Sequence, residues 1–183
     1  MMKKNKRYVA LLRGINVGGK NKIVMAELKD ALEQLSYHEV KTYLNSGNVI
    51  FSCEEGDTAL LRSQIENAVQ SRFALEIAVF VISQEKLKAI LEQAPDWWGR
   101  DDKAIYDNLI FLLPPTTFSE IYAEIGEPKS GLEQIHPVQE AIFWSFDRRE
   151  YQKTNWWAKV ASTKVSGQMT IRTANTVRKI AQM

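Results

Sequence analysis

The chain has 183 residues, 45% of them hydrophobic and 25% charged, and a formal net charge of +2. That composition is ordinary for a globular protein and excludes a collagen-like or intrinsically disordered one. No run approaches the ~18 apolar residues of a membrane span. Near the N-terminus only Tyr8–Leu12 is uninterruptedly apolar, short of the roughly 7–15 residues of a signal-peptide core. Cys53 is the single cysteine, which excludes an internal disulfide and a cysteine-built zinc cage. A cytoplasmic protein without membrane association is expected.

Charge is unevenly spread. Residues 1–29 carry eight Lys or Arg against Glu27 alone, residues 148–183 carry eight against Glu150 alone, +7 in each case, and residues 30–147 are left with −12. The asymmetry points to an anionic partner for the chain ends, or to their attraction for the acidic middle. The plainer alternative is a solvated basic tail, Lys3, Lys4, Lys6 and Arg7, with ordinary charged helix faces.

Tyr8–Arg13 predicts a central strand, apolar on both faces. A glycine-bearing loop over 14–22 follows, and then Met25, Leu28, Leu32 and Leu35 recur at helical spacing. Val40–Leu44 and Val49–Cys53 are short β-rich runs. Asn45-Ser46-Gly47-Asn48 joins them with residue types that tolerate a left-handed backbone, which predicts a hairpin turn. Asp57 is placed to cap a second helix with Leu61, Ile65, Ala68 and Val69 inward. Ile77–Ile82 predicts another strand, and Leu87, Ile90 and Leu91 the inward face of a third helix. The order β-α-β-β-α-β-α is the split βαβ, or ferredoxin-like, pattern with one helix added.

Pro95 to Lys103, with Trp97 and Trp98, marks the best boundary, giving halves of residues 1–96 and 97–183. Beyond it the pattern restarts. Ile105–Leu113 is a strand stopped by Pro114-Pro115, and Thr117 with Glu120 forms a capping box for a helix to about Ile125. A loop over 126–131, a weak strand at Leu132–His136 and a strong one at Ala141–Phe146 follow. A helix over Thr154–Ser162, a brief strand at Met169–Arg172 and a final helix over Ala174–Met183 complete the chain. The expected fold class is α+β: two successive ferredoxin-like (βαββαβ-type) halves with antiparallel sheets. No residue-level repeat supports the duplication, which rests on element order.

Gly14-Ile15-Asn16-Val17-Gly18-Gly19-Lys20-Asn21 satisfies G-x-x-x-x-G-K after a strand. A true P-loop then needs Ser or Thr to reach magnesium, and its helix opens at the lysine. Here Asn21 stands instead, Lys22-Ile23-Val24 reads as extended, and a hairpin follows. Three glycines with Asn16, flanked by Arg13, Lys20 and Lys22, can still present N–H groups and cations to an anion. Equally, the glycines can simply permit the turn.

Tyr8-Val-Ala-Leu-Leu-Arg-Gly-Ile-Asn-Val-Gly-Gly-Lys-Asn, Met25-Ala-Glu-Leu and Tyr43-Leu-Asn-Ser-Gly-Asn-Val-Ile-Phe resemble the motifs of the bacterial domain-of-unknown-function family 1697. Ile171-Arg-Thr-Ala-Asn-Thr-Val-Arg-Lys-Ile resembles its closing motif. Two departures stand out: Thr173-Ala174 replaces the family's Asn-Trp, and Val24 lies where proline is common. The resemblance implies the two-part ferredoxin-like fold and no established activity. If the family's tryptophan stacks on a ligand, this chain lacks that contact.

Candidate ligand-binding residues are Arg13, Asn16, Gly18, Gly19 and Lys20 in the first loop, and Asn45, Ser46 and Asn48 in the hairpin turn. Arg172, Asn175 and Thr176 join them at the start of the last helix, where a dipole end and a bidentate guanidinium could hold phosphate, or where a satisfied cap and an exposed arginine could stand. The first loop and the hairpin read as lying at opposite ends of neighbouring strands, which leaves open whether they meet. His38 and His136 have no local acid or cysteine partner, so neither a metal site nor a triad is expected. Cys53, beside Glu54 and Glu55, lacks the electropositive setting of a catalytic thiol. Asp101, Asp102 and Asp107 could pair as acids, but loop solvation explains them better. Trp156-Trp157 between Lys153 and Lys159 suits base stacking on single-stranded nucleic acid. Pointing about 100° apart, the two could instead be one core residue and one interdomain contact.

Three functions follow. The first is a non-catalytic binder of a phosphate-bearing small molecule or single-stranded nucleic acid, on a basic surface made by both chain ends. The second is an enzyme acting on a small anionic metabolite with Arg13 and Arg172 as clamps, for which no nucleophile or base is visible. The third is a protein-interaction module. No cofactor is implied.

Overall fold

Tyr8, Val9, Ala10, Leu11 and Leu12 leave no polar face on β1 (Lys6–Leu12), so the strand belongs in the middle of a sheet buried on both sides. In the computed structural model, which describes residues 4–162 and 164–183, β1 does lie there. It runs antiparallel to β3 (Asn48–Cys53), with Leu11 opposite Asn48, and to β4 (Val79–Ser83), with Leu12 opposite Val79. β2 (His38–Tyr43) closes the edge, giving the order β2-β3-β1-β4. Its exposed His38, Glu39 and Lys41, with a register shift between His38 and Lys41, suit an unpaired edge.

α1 (Met25–Glu33) and α2 (Thr58–Phe73) cover one face of this sheet. Leu28 and Leu32 from α1, with Leu61, Ile65 and Val69 from α2, pack with Tyr8, Ala10 and Leu12. The Asp57 carboxylate caps α2 by accepting from the Ala59 and Leu60 N–H groups. α3 (Gln84–Leu91) follows β4.

The second sheet repeats the first. β5 (Ile105–Leu112), α4 (Phe118–Ile125), β6 (Glu133–Val138), β7 (Ala141–Asp147), α5 (Asn155–Ser162), β8 (Met169–Thr173) and α6 (Ala174–Ile180) succeed one another, and the strand order is β6-β7-β5-β8. Strand for strand this matches the first sheet, so both halves are ferredoxin-like. Thr117 and Glu120 form the capping box of α4. At α5 the cap comes from afar: buried Glu133 accepts from the backbone N–H groups of Asn155 and Trp156. Ile121, Ile125 and Trp156 pack with Ile110, Ile142 and Trp144 to form the core.

The chain divides into two compact units, one running to Lys88 and taking in Lys179–Met183, the other spanning Ala89–Arg178. The chain ends therefore share the first unit. Arg7 Nε donates to the Met183 carbonyl at 2.9 Å, and Gln84 Nε2 to the Ile180 carbonyl at 3.0 Å. Among the described residues no helix is long and apolar enough to cross a membrane.

Three acids of the first core make its stability sensitive to alkali. Burial, then the charge neighbourhood of Cys53 and Glu55, raises the pKa of Tyr8 and Tyr37; burial raises that of Cys53, against a smaller lowering by its bond to the Glu55 carbonyl, with the Glu55 carboxylate adding the least. A raised folded-state value for a group that loses a proton to become anionic stabilises fully below the unfolded value. That contribution starts to be lost above about 8.5, the unfolded cysteine value, and above about 10, that of tyrosine, and the loss continues as pH rises through the raised folded values. Urea titrations at pH 7.5 and 10.5 are expected to show a lower midpoint at the higher pH, and Cys53→Ser should remove the earliest part of the decline. An unchanged midpoint would contradict this account.

Candidate functional site

The first-unit loop and the hairpin turn meet. Because β1 and β3 are antiparallel, the residues that follow β1 lie beside those that precede β3, and Leu12 N donates to the Gly47 carbonyl at 2.8 Å. The Asn16 side chain completes the junction. Its Nδ2 donates to the carbonyls of Ile23 (3.0 Å) and Asn45 (2.9 Å), and its Oδ1 accepts from Ile23 N (2.8 Å). Asn16 itself sits at φ 55°, a backbone that asparagine tolerates. Asn21 Nδ2 bonds the Gly14 carbonyl, and buried Asn48 Nδ2 bonds the Tyr43 carbonyl and Ser46 Oγ. The predicted polar residues of the two loops are thus brought together, with Asn16 and Asn48 turned towards the protein's own backbone. Gly18, Gly19 and Lys20 lie exposed at the tip, and Arg13 is half-buried at its base. α1 opens at Met25, five residues past Lys20, so no helix terminus faces the glycines as a P-loop requires.

Around this junction exposed apolar side chains stand among exposed Lys20, Lys22, Asn45 and Ser46. Five large hydrophobic side chains are exposed among the described residues, and Val17, Val24 and Leu44 are three of them. Leu44 holds φ 57°, a strained backbone for leucine.

The closing motif divides differently. Arg172 lies in β8, not at a helix start, and is 8% exposed. Its Nη1 donates to Thr170 Oγ1 at 2.8 Å and to the Ile171 carbonyl at 2.9 Å, and burial lowers its pKa to about 10. It remains charged at neutral pH, facing inward. Thr173 Oγ1 accepts from Thr176 N at 3.4 Å and donates to Thr176 Oγ1 at 3.1 Å, a hydroxyl cap on α6. Thr176 is buried, whereas Asn175 is exposed and lines a cleft, as does Ala174.

That cleft, of ≈ 320 Å³, gathers Arg100, Lys103, Arg148 and Arg178. Among the described residues, no carboxylate oxygen lies within 4.0 Å of any of the four. Arg148 Cζ stands 4.5 Å from the Tyr106 ring centroid, and Arg178 Cζ 5.4 Å from that of Trp98. Arg178 passes so close to Gly99 that a Cβ there would overlap the guanidinium, which the φ of +75° at Gly99 also disfavours. Asp101, Asp102 and Asp107 share the cleft. Two are committed to the protein: Asp102 Oδ1 accepts from Ala104 N, and buried Asp107 accepts from the Ser145 hydroxyl. A larger cleft of ≈ 500 Å³ includes Glu133 and Asp147. Glu133 caps α5 and Asp147 binds Arg149 at 3.3 Å, which holds the Asp147 carboxyl below its usual range.

Tyr106 and Arg148 also wall a second hollow of ≈ 270 Å³, completed by Phe146, Tyr151 and Trp157. The sequence singled out Trp157 by its neighbouring cations but gave no weight to Tyr106 or Arg148. They meet because Tyr106 pairs with Phe146 across β5 and β7, and Arg148 N continues that ladder to the Ala104 carbonyl.

The fold is matched by a solved structure. That of a conserved bacterial protein from Streptococcus pneumoniae aligns with a TM-score of 0.85 and 32% identity, covering 98% of each chain. An unknown protein from Galdieria sulphuraria aligns over 93% of this chain and 98% of its own at 13% identity and a TM-score of 0.28. No curated protein matches significantly. The family model described as protein of unknown function DUF1697 matches residues 5–143. That span covers the first-unit loop, the hairpin, β5, β6 and the first residues of β7, and the chain belongs to the DUF1697 family.

Proposed function

We propose that the protein is a non-catalytic binder of phosphate-bearing ligands, nucleotide or nucleic acid, and that it holds them in the basic cleft of the second unit. The observation that carries this reading is the set of four cations, Arg100, Lys103, Arg148 and Arg178, around one opening with no carboxylate partner among the described residues. A guanidinium offers a planar fork of donors that matches phosphate oxygens. Two of the three guanidiniums already rest on aromatic rings, so little side-chain freedom is lost when an anion arrives.

The basic C-terminal stretch supplies two of the cations, Arg148 and Arg178. In the N-terminal stretch, Arg7 is engaged with the Met183 carbonyl, Ser52 Oγ and Glu39. Buried Arg172 supports its own strand rather than the cleft surface.

Binding of a labelled oligothymidylate, followed by fluorescence anisotropy, tests the proposal. Three phosphate contacts on a single strand give a logarithmic salt slope near −2, on the order of a tenfold loss of affinity from 50 to 200 mM salt. Arg148→Ala and Arg178→Ala should each weaken binding several-fold and flatten that slope. Salt-insensitive binding, or unchanged affinity in the double variant, would overturn the assignment.

A further inference from the structure

Adjacent tryptophans on α5 have opposite fates. Trp156 is fully buried with Nε1 donating to the Gly126 carbonyl at 3.1 Å, while Trp157, turned about 100° around the helix, stays 40% exposed. Trp157 is not solitary at the surface. Tyr151 meets it at 4.9 Å between centroids and 74° between planes, and Phe146 at 5.6 Å and 68°. Tyr106 in turn meets Phe146 at 5.5 Å and 67°, beneath the Arg148 guanidinium. Four rings and one cation thus form an open cup.

The cup and the basic cleft share Tyr106 and Arg148 as a common wall. An aliphatic guest would gain from the apolar rings but would leave the neighbouring cations unused. A flat ring joined through a sugar to a phosphate uses both. We infer that the cup takes an unpaired nucleobase whose phosphate lies on the arginines of the adjoining cleft. This rests on the anion-binding reading above and names the ligand class for the same site. Because the walls are rings and a guanidinium, stacking and cation–π attraction govern recognition, and little preference among bases is expected.

The same chemistry is offered by a single strand and by a free nucleotide, and the experiment separates them. Full-length protein is titrated with an oligothymidylate, with an abasic oligodeoxynucleotide of equal length and charge, with thymidine monophosphate and with inorganic pyrophosphate. Anisotropy and tryptophan emission are both followed. The intact strand should bind about tenfold or more tightly than the abasic one and should quench emission that Trp157→Phe removes from the spectrum. Trp157→Leu, which keeps an apolar side chain against Phe146 and Tyr151, should erase the difference between the strands while leaving the abasic affinity in place, and Trp157→Phe should preserve most of it. Competition by thymidine monophosphate at strand-like affinity would identify the free nucleotide as the source. Equal binding of intact and abasic strands, or discrimination undiminished in Trp157→Leu, would overturn the stacking inference and leave anion binding intact. Failure of every anion to bind would sink both.

Discussion

Gly47→Ala is expected to destabilise the protein by about 2–5 kcal/mol, seen as a lower urea midpoint. Two effects add. Gly47 has φ +90°, where a side chain strains the backbone by about 1–2 kcal/mol. An added Cβ would also fall 2.8 Å from Leu12 Cβ and 3.0 Å from Ile15 Cδ1, both in the buried core, and overpacking of this kind costs about 1–3 kcal/mol. Gly18→Ala is the matched control. Gly18 also has a positive φ, but an added Cβ meets nothing within 4 Å, so its cost should be confined to about 1–2 kcal/mol of backbone strain. Equal losses in the two variants would show that the close approach at Gly47 is not what requires glycine there.

Trp156→Ala is expected to cost about 3–5 kcal/mol, the range for emptying a large buried aromatic site. The indole is fully buried between α4 and the second sheet, and its Nε1 holds the Gly126 carbonyl just past the end of α4. Trp156→Phe separates the two contributions. It keeps most of the ring volume and removes only the donor, so about 1–2 kcal/mol should be lost. Trp157→Leu, one residue on, should lower the urea midpoint far less. A Trp156→Ala protein as stable as the parent would mean that the α4–α5 contact is not part of the core as described.

Much of this architecture was legible in the sequence because it rests on local signals. A strand apolar on both faces, Tyr8–Leu12, had to be central, and the caps at Asp57 and at Thr117 with Glu120 are side-chain chemistry within three residues. The meeting of the first loop with the hairpin depends instead on the direction in which β1 pairs with β3, which no local pattern encodes. The burial of Arg172 was hidden for a related reason. In β8 the apolar Met169 and Ile171 suggest one inward face, yet Thr170 and Arg172 on the other face are both buried, and Ile171 is only half-buried. Burial on both sides of that strand is set by the surroundings rather than by its own alternation. The cup shows both cases at once. Trp157 was visible as an aromatic among lysines, while Tyr106, Phe146 and Arg148 become neighbours only through the β5–β7 register.

The return of Lys179–Met183 to the first unit has a consequence for how the chain is made. In sequence terms residues 89–178 are an insertion within that unit, and its closing hydrogen bonds span very long stretches, 176 residues from Arg7 to Met183 and 96 from Gln84 to Ile180. Domains of a growing chain generally fold as units in the order in which they leave the ribosome. Here the first unit to emerge is the last to be completed, because Gln84 and Arg7 wait for partners that are translated after the whole of the second sheet.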